Sequence, residues 1–130
     1  MAQKPENSFT QRVSRMCASA LMEAARRGWR LAPWTAEIDL HDEVPCPGHH
    51  NGYRLDAATG LGVGWDGTAS GCFVDRDGHN VAIICGYWDF EDWNPAPGER
   101  GFHEWVHYPE SRTLVGVMYL PRIAREAPIP

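Results

Sequence analysis

His79–Trp93, HNVAIICGYWDFEDW, is the stretch that decides the fold. Its apolar run, Val81–Cys85, is short and rich in β-branched residues, and the turn signal Asp77-Gly78 stands just before it. This combination is typical of a strand buried on both faces rather than of a helix. The sequence therefore predicts a central strand here, followed by an acidic aromatic segment, Trp88–Trp93, that leads toward solvent.

Two hairpins are predicted from the turn signals around this strand. Gly71–Asp75 is expected to pair with Asn80–Tyr87 across Asp77-Gly78, because glycine tolerates the positive φ that tight hairpin turns require. A second hairpin is expected to join Phe102–Tyr108 to Thr113–Leu120 across a turn that begins at Pro109. Both hairpins place antiparallel neighbours in one sheet.

The N-terminal part of the chain predicts an amphipathic helix from about Ser8 to Arg27. Its apolar residues recur at steps of three and four and so share one face of a helix. These residues are Phe9, Val13, Met16, Cys17, Ala20, Leu21 and Ala24. Gly28 is a stop signal. The predicted fold class is α+β, with this helix packed on a mainly antiparallel sheet of hairpins. A single domain is expected over residues 1–130, with irregular tails at 1–7 and 121–130.

Composition limits the function classes. The chain has 130 residues and a formal net charge of −5, with the acidic residues concentrated between positions 35 and 110. An acidic middle disfavours direct binding to nucleic acid and suits a basic partner surface. No apolar run approaches the ~18 residues of a membrane span, and the N-terminus lacks the apolar core of a secretory signal. We therefore expect a cytoplasmic protein that does not bind a membrane.

The segment His103–His107, HEWVH, resembles the H-E-x-x-H motif of the zincin metalloproteases. The resemblance implies His103 and His107 as zinc ligands and Glu104 as the general base, and it requires a helix. The aromatic and β-branched neighbours favour a strand instead, and Pro109 would stop a helix. On a strand the two histidines would be roughly 13 Å apart, too far to share one ion. A strand is expected.

A second possible zinc site lies in a turn-rich stretch, where Cys46-x-x-His49 has the spacing of a ligand pair. His41 and His50 could complete a tetrahedral set. The letters echo parts of the zinc deaminase signature, but that signature separates its parts widely and ends in a second cysteine. A structural zinc clip and a polar turn with solvated histidines both stay open. No cofactor other than zinc is implied.

A third possibility pairs Cys17 with His103. This outline resembles papain-like and transglutaminase-like enzymes, which place a cysteine at a helix start and a histidine on a neighbouring strand. Cys17 instead falls in the middle of the predicted helix, on its apolar face, where the N-terminal dipole cannot favour a thiolate. Cys17 is expected in the core.

The remaining candidate is a binding surface made of Trp88, Asp89, Phe90, Glu91, Asp92 and Trp93. Exposed aromatic residues rimmed by charge are typical of protein-binding hot spots. The alternative is that the tryptophans close a small core. If the strand continues, Trp88, Phe90 and Asp92 face one way.

The sequence thus predicts a small acidic protein-binding module, of inhibitor or immunity type. Its acidic aromatic surface would dock on a basic partner surface, with possible competition against nucleic acid for a basic groove. A small zinc-dependent hydrolase and a Cys-His enzyme are the alternatives.

Overall fold

The computed structural model describes residues 9–32, 54–64 and 68–120, with the side chains of residues 54, 55 and 91 excepted. Helix α1 spans Phe9–Arg26. The strands are β1 (Arg30–Leu31), β2 (Arg54–Leu55), β3 (Gly62–Val63), β4 (Ala69–Val74), β5 (Asn80–Trp88), β6 (Glu104–Tyr108) and β7 (Thr113–Tyr119). Short 3-10 helices lie at Phe90–Asp92, Glu99–Gly101 and Pro109–Ser111. The predicted tails lie outside the described residues. Among the described helices, none is long and apolar enough to cross a membrane.

The strands form one antiparallel sheet in the order β2-β3-β4-β5-β7-β6. Strand β1 also pairs with β4, on the edge that β4 shares with β3. The predicted α+β fold is confirmed. Strand β5 has β4 on one edge and β7 on the other, as expected of a central strand. Ile83 and Ile84 point to opposite faces of β5 and are both buried, which confirms that the strand is covered on both faces.

Both predicted hairpins are present. Gly78 has a φ of +84 in the β4–β5 turn, and the Asp75 carboxylate accepts the backbone N–H groups of Asp77 and His79. The β6–β7 turn contains Pro109–Ser111, followed by Arg112 in the left-handed region. Because this tight turn folds β6 against the outer edge of β7, the strand that follows β5 in the chain is not its neighbour in the sheet.

Helix α1 packs across one face of the sheet. The small residues Ala20 and Ala24 are buried there against β5 and β7. The helix backbone comes so close to β5 that a Cβ on Gly86 would lie 2.3 Å from the carbonyl oxygen of Met16. The packed core of the molecule lies in this layer, with Ile84 and Val117 at its centre.

The opposite face of the sheet carries a second apolar cluster around Ile83. Next to it, the chain between β5 and β6 returns over the sheet. Phe102 lies so close to Gly116 of β7 that a Cβ there would be 2.6 Å from the aromatic ring. This chain segment positions most of the residues discussed below.

Candidate binding site

Four residues of the H-E-x-x-H segment, Glu104 to His107, lie on β6, and His103 stands directly before it, so the predicted strand is confirmed. His107 Nε2 is 3.1 Å from the carbonyl oxygen of Trp93, and His103 Nδ1 accepts the backbone N–H of Tyr119 at 3.0 Å. The two histidines are four residue steps apart along the chain, which is roughly 13 Å when the chain is extended. The geometry that the zincin motif requires is therefore not present in these five residues.

Glu104, the residue that the zincin resemblance implies as a base, has two structural partners. Arg27 donates to it at 3.0 Å, and the hydroxyl of Tyr119 forms a short hydrogen bond with its other oxygen. The hydrogen bonds from Arg27 and Tyr119 lower the pKa of the Glu104 carboxyl group. A carboxylate held in this way is a poor base.

Arg27 also forms an ion pair with Glu23 of α1, whose side chain is fully buried. Glu23 accepts hydrogen bonds from Arg26 at 2.9 Å, from Arg27 at 2.7 Å and from the hydroxyl of Tyr108 at 2.7 Å. Burial alone would raise the pKa of Glu23, but these hydrogen bonds outweigh it and lower the pKa. We call Glu23, Arg26, Arg27, Glu104, Tyr108 and Tyr119 the Glu23 network. It joins the helix to the sheet.

Cys17 lies in the core, as its place in the helix pattern predicts. Its sulfur is 4.0 Å from a carboxylate oxygen of Asp56. Burial raises the pKa of the Cys17 thiol, and the hydrogen bond with Thr59 offsets this only in part. His103 has a different neighbour, because it contacts Tyr119. The structure does not bring Cys17 and His103 together as a catalytic pair would require.

The second predicted zinc site, made of His41, Cys46, His49 and His50, lies outside the described residues and stays a prediction. Within the described ranges, the residues that lie close enough to share a metal ion are Asp75, Asp77 and His79. The Asp75 carboxylate already accepts two backbone N–H groups of its own turn. We regard this exposed group as part of the turn.

The segment Trp88–Trp93 departs from the strand alternation considered above, because β5 ends at Trp88 and a 3-10 helix follows. Trp88 is buried in the core under α1, whereas the Phe90 side chain is 59% exposed. Asp92 is exposed and has a positive φ of 55. One tryptophan of the segment therefore closes the core and one aromatic residue faces solvent, while the binding surface itself stays a prediction.

Trp93 belongs to an aromatic cluster on the sheet face opposite α1, made of Tyr87, Trp93, Phe102 and Trp105. The ring of Trp105 lies 5.2 Å from that of Trp93 and 5.1 Å from that of Phe102, both in edge contact. The indole N–H of Trp93 also donates to Glu99 at 3.0 Å. The chain between β5 and β6 is held in place by these contacts.

Three arginines stack on the aromatic residues of this region. The guanidinium of Arg12 lies 5.2 Å from the centre of Trp88 and 5.5 Å from that of Phe90. Arg100 lies 4.4 Å from the centre of Trp93. Arg112 lies over Trp88 at 5.9 Å. Sequence reasoning missed all three as site residues, because they come from the helix, a loop and a turn that meet only in the folded protein.

A pocket of about 490 Å³ opens between these groups, and we call it the Trp88 pocket. It is lined by Met16, Thr68, Tyr87, Trp88, Phe90, Trp93 and Arg100. Burial, followed by the influence of Cys85, raises the pKa of the Tyr87 hydroxyl, although nearby Arg100 acts in the opposite direction. Tyr87 is therefore a neutral hydroxyl at physiological pH.

The Trp88 pocket and the exposed Phe90 next to it together form a candidate binding site. Aromatic walls with few polar groups are typical of ligand and partner sites. Comparison of the chain with protein-family models, with curated proteins and with solved structures gives no match.

Proposed function

We propose that this protein acts by binding another protein through the exposed side of the Trp88–Trp93 segment. The observation that carries the proposal is the position of Phe90. A single exposed aromatic residue is common on protein surfaces. Phe90, however, stands on a 3-10 helix at the mouth of an aromatic pocket, between a buried and a half-buried tryptophan.

The surroundings of Phe90 support this role because they are held in place before any partner arrives. Trp88 anchors the segment in the core, and Trp93 anchors it in the aromatic cluster. The N–H of Asp89 is also bonded to the carbonyl oxygen of Arg112 at 2.9 Å. A rigid anchor residue loses little conformational entropy on binding and therefore contributes more to affinity.

The charge next to Phe90 supports a basic partner surface. Asp89, Glu91 and Asp92 flank it in the sequence, and Asp92 is exposed. Opposite charges across an interface increase the rate of association and favour the correct partner. A small acidic protein of this kind fits an inhibitor or immunity-type role, including competition with nucleic acid for a basic groove. The enzyme alternatives receive less support, because HEWVH lies on a strand and Cys17 is buried.

The test compares partner capture by wild-type protein and by two variants, Phe90→Ser and the double variant Glu91→Lys with Asp92→Lys. Proteins captured from the native host are quantified, and the affinity for the purified partner is then measured at several salt concentrations. We expect Phe90→Ser to weaken binding about thirtyfold, since anchor residues often contribute ~2 kcal/mol or more. The double variant should weaken binding most at low salt.

Asp77→Lys is the matched control, because Asp77 is an exposed acid in the turn at the other end of β5. It changes the net charge in the same direction without touching the Phe90 surface. If all variants bind the partner as tightly as the wild type, this surface is not the docking site. A partner whose contact surface is acidic would contradict the proposed charge complementarity.

A further inference from the structure

Among the described residues, the arginines around the Trp88 pocket differ from Arg26 and Arg27 in having no acidic partner. Between described residues, the ion pairs of arginine involve Arg26 and Arg27, and none involves Arg12, Arg100 or Arg112. Arg112 donates to the carbonyl oxygen of Asp89. The Nε of Arg12 is buried and donates to no described acceptor. A buried donor without an acceptor costs free energy, so an anionic acceptor placed beside this nitrogen would be stabilising.

The positions of these arginines over aromatic rings favour the binding of an anion. Arg100 lies 4.4 Å over Trp93, and Arg12 lies over both Trp88 and Phe90. A guanidinium that lies over a ring can still direct N–H groups at its edge toward a planar acceptor. The edge matches a carboxylate, which can accept two parallel hydrogen bonds.

The lining of the pocket indicates what carries the carboxylate. Trp88, Phe90 and Trp93 supply aromatic walls, and a volume of about 490 Å³ is within the range of small-molecule sites. Aromatic rings favour edge or offset contacts with another ring. Two acids, Asp89 and Glu99, lie in the same region, which disfavours a doubly charged phosphate relative to a single carboxylate.

We propose that the Trp88 pocket binds a small planar aromatic carboxylate. The ring of the ligand lies between Trp88, Phe90 and Trp93, and its carboxylate accepts hydrogen bonds from Arg100, with Arg12 as the second cation. This site goes beyond the proposed docking function, because it uses the arginines of the pocket and needs no protein partner. The two sites share Phe90, but the docking surface depends in addition on the acids beside it, which the pocket does not use.

The test uses 2-naphthoate as the ligand and 2-naphthamide as its neutral counterpart of nearly the same shape. Binding to the full chain is measured by isothermal titration calorimetry, and the site is located by backbone and indole NMR shifts. We expect saturable binding of 2-naphthoate, with shifts at Thr68, Trp88 and Trp93. The amide should bind about tenfold more weakly, because it cannot form charged hydrogen bonds with arginine.

The variants Arg100→Gln and Arg12→Gln remove one cation each. Each should weaken 2-naphthoate about tenfold and leave 2-naphthamide nearly unchanged. Arg100→Lys keeps the charge but loses the planar fork, so an intermediate loss is expected. Arg76→Gln is the matched control, since Arg76 is exposed in the β4–β5 turn and should leave both ligands unaffected.

The proposal is overturned by any of three results. These are absence of saturable 2-naphthoate binding up to millimolar concentration, equal affinity for acid and amide, or unchanged 2-naphthoate affinity in both Gln variants. If Arg12→Gln alters the near-UV circular dichroism spectrum, the result for Arg100→Gln decides alone, because Arg100 is exposed on the short 3-10 helix Glu99–Gly101. Loss of partner capture in the Glu91 and Asp92 double variant, with 2-naphthoate binding intact, would separate the two sites.

Discussion

The two regions where arginines meet aromatic residues have opposite electrostatic character. At the C-terminal end of α1, Arg27 stacks on Trp29 at 5.3 Å and is also paired with Glu23 and Glu104. Beside the Trp88 pocket, Arg12 and Arg100 stack on rings in the same way but have no carboxylate partner among the described residues.

The difference indicates which of the two regions stabilises the fold and which is available to a ligand. A buried charge is tolerated only when it is paired and hydrogen-bonded. Glu23 meets that condition with partners on its own helix and on β6. Removing one member of such a set leaves the others unpaired, which is strongly destabilising. Cations without acids carry no such structural role.

The largest change in the free energy of unfolding is expected from Glu23→Gln. The substitution keeps the shape of the side chain but leaves Arg27 without its closest carboxylate and places an amide among N–H donors. We expect the free energy of unfolding to fall by about 3 kcal/mol, the size typical of a broken buried pair. Urea unfolding at neutral pH measures this loss. The dependence of the free energy of unfolding on urea concentration shows whether the unfolded state is unchanged.

Glu110→Gln is the control for this change, because Glu110 is exposed in the β6–β7 turn. It should alter the free energy of unfolding by less than ~0.5 kcal/mol. A Glu23→Gln variant as stable as this control would show that the Glu23 network does not stabilise the helix–sheet contact.

Acidification should remove the difference in the free energy of unfolding between the wild type and Glu23→Gln. Because hydrogen bonds lower the pKa of Glu23 in the folded state, its stabilising contribution is complete above its ordinary value of about 4.5. The contribution is lost as the pH falls through the lower folded pKa. Urea unfolding of both proteins in a series from pH 7 downward should show a constant gap that narrows below about pH 4.5. A gap that widens with acid would contradict the assigned direction.

The smallest change in the free energy of unfolding is expected from substitutions at the Trp88 pocket. Arg100→Gln removes an exposed cation whose contact with Trp93 is worth less than ~1 kcal/mol. Arg12→Gln removes a half-buried cation together with a buried Nε that has no acceptor among the described residues. We therefore expect both variants to unfold at nearly the wild-type urea concentration while losing affinity for an aromatic carboxylate. A stability loss as large as that of Glu23→Gln would remove the contrast between the two regions.

Several features of the fold could be predicted because their causes are local. The apolar steps of α1, the Asp77-Gly78 turn and the β-branched run of β5 each act over a few residues. The same reasoning correctly rejected a helix for HEWVH, since the neighbours of His103 favour a strand. It left open whether the chain continues as a strand through Phe90, and the structure has a 3-10 helix there. No residue before Phe90 signals this change as clearly as glycine signals a turn.

The sequence by itself determined the type of most elements, because periodicity and turn chemistry depend on neighbours along the chain. Only the tertiary structure decided which charges are paired. Tyr108 donates to Glu23 across 85 positions of sequence, and Arg12 of α1 and Arg100 of the β5–β6 connection flank one pocket. Pairing of this kind depends on distances of a few ångströms between remote residues, which only the packing of α1 and the β5–β6 connection on the sheet establishes.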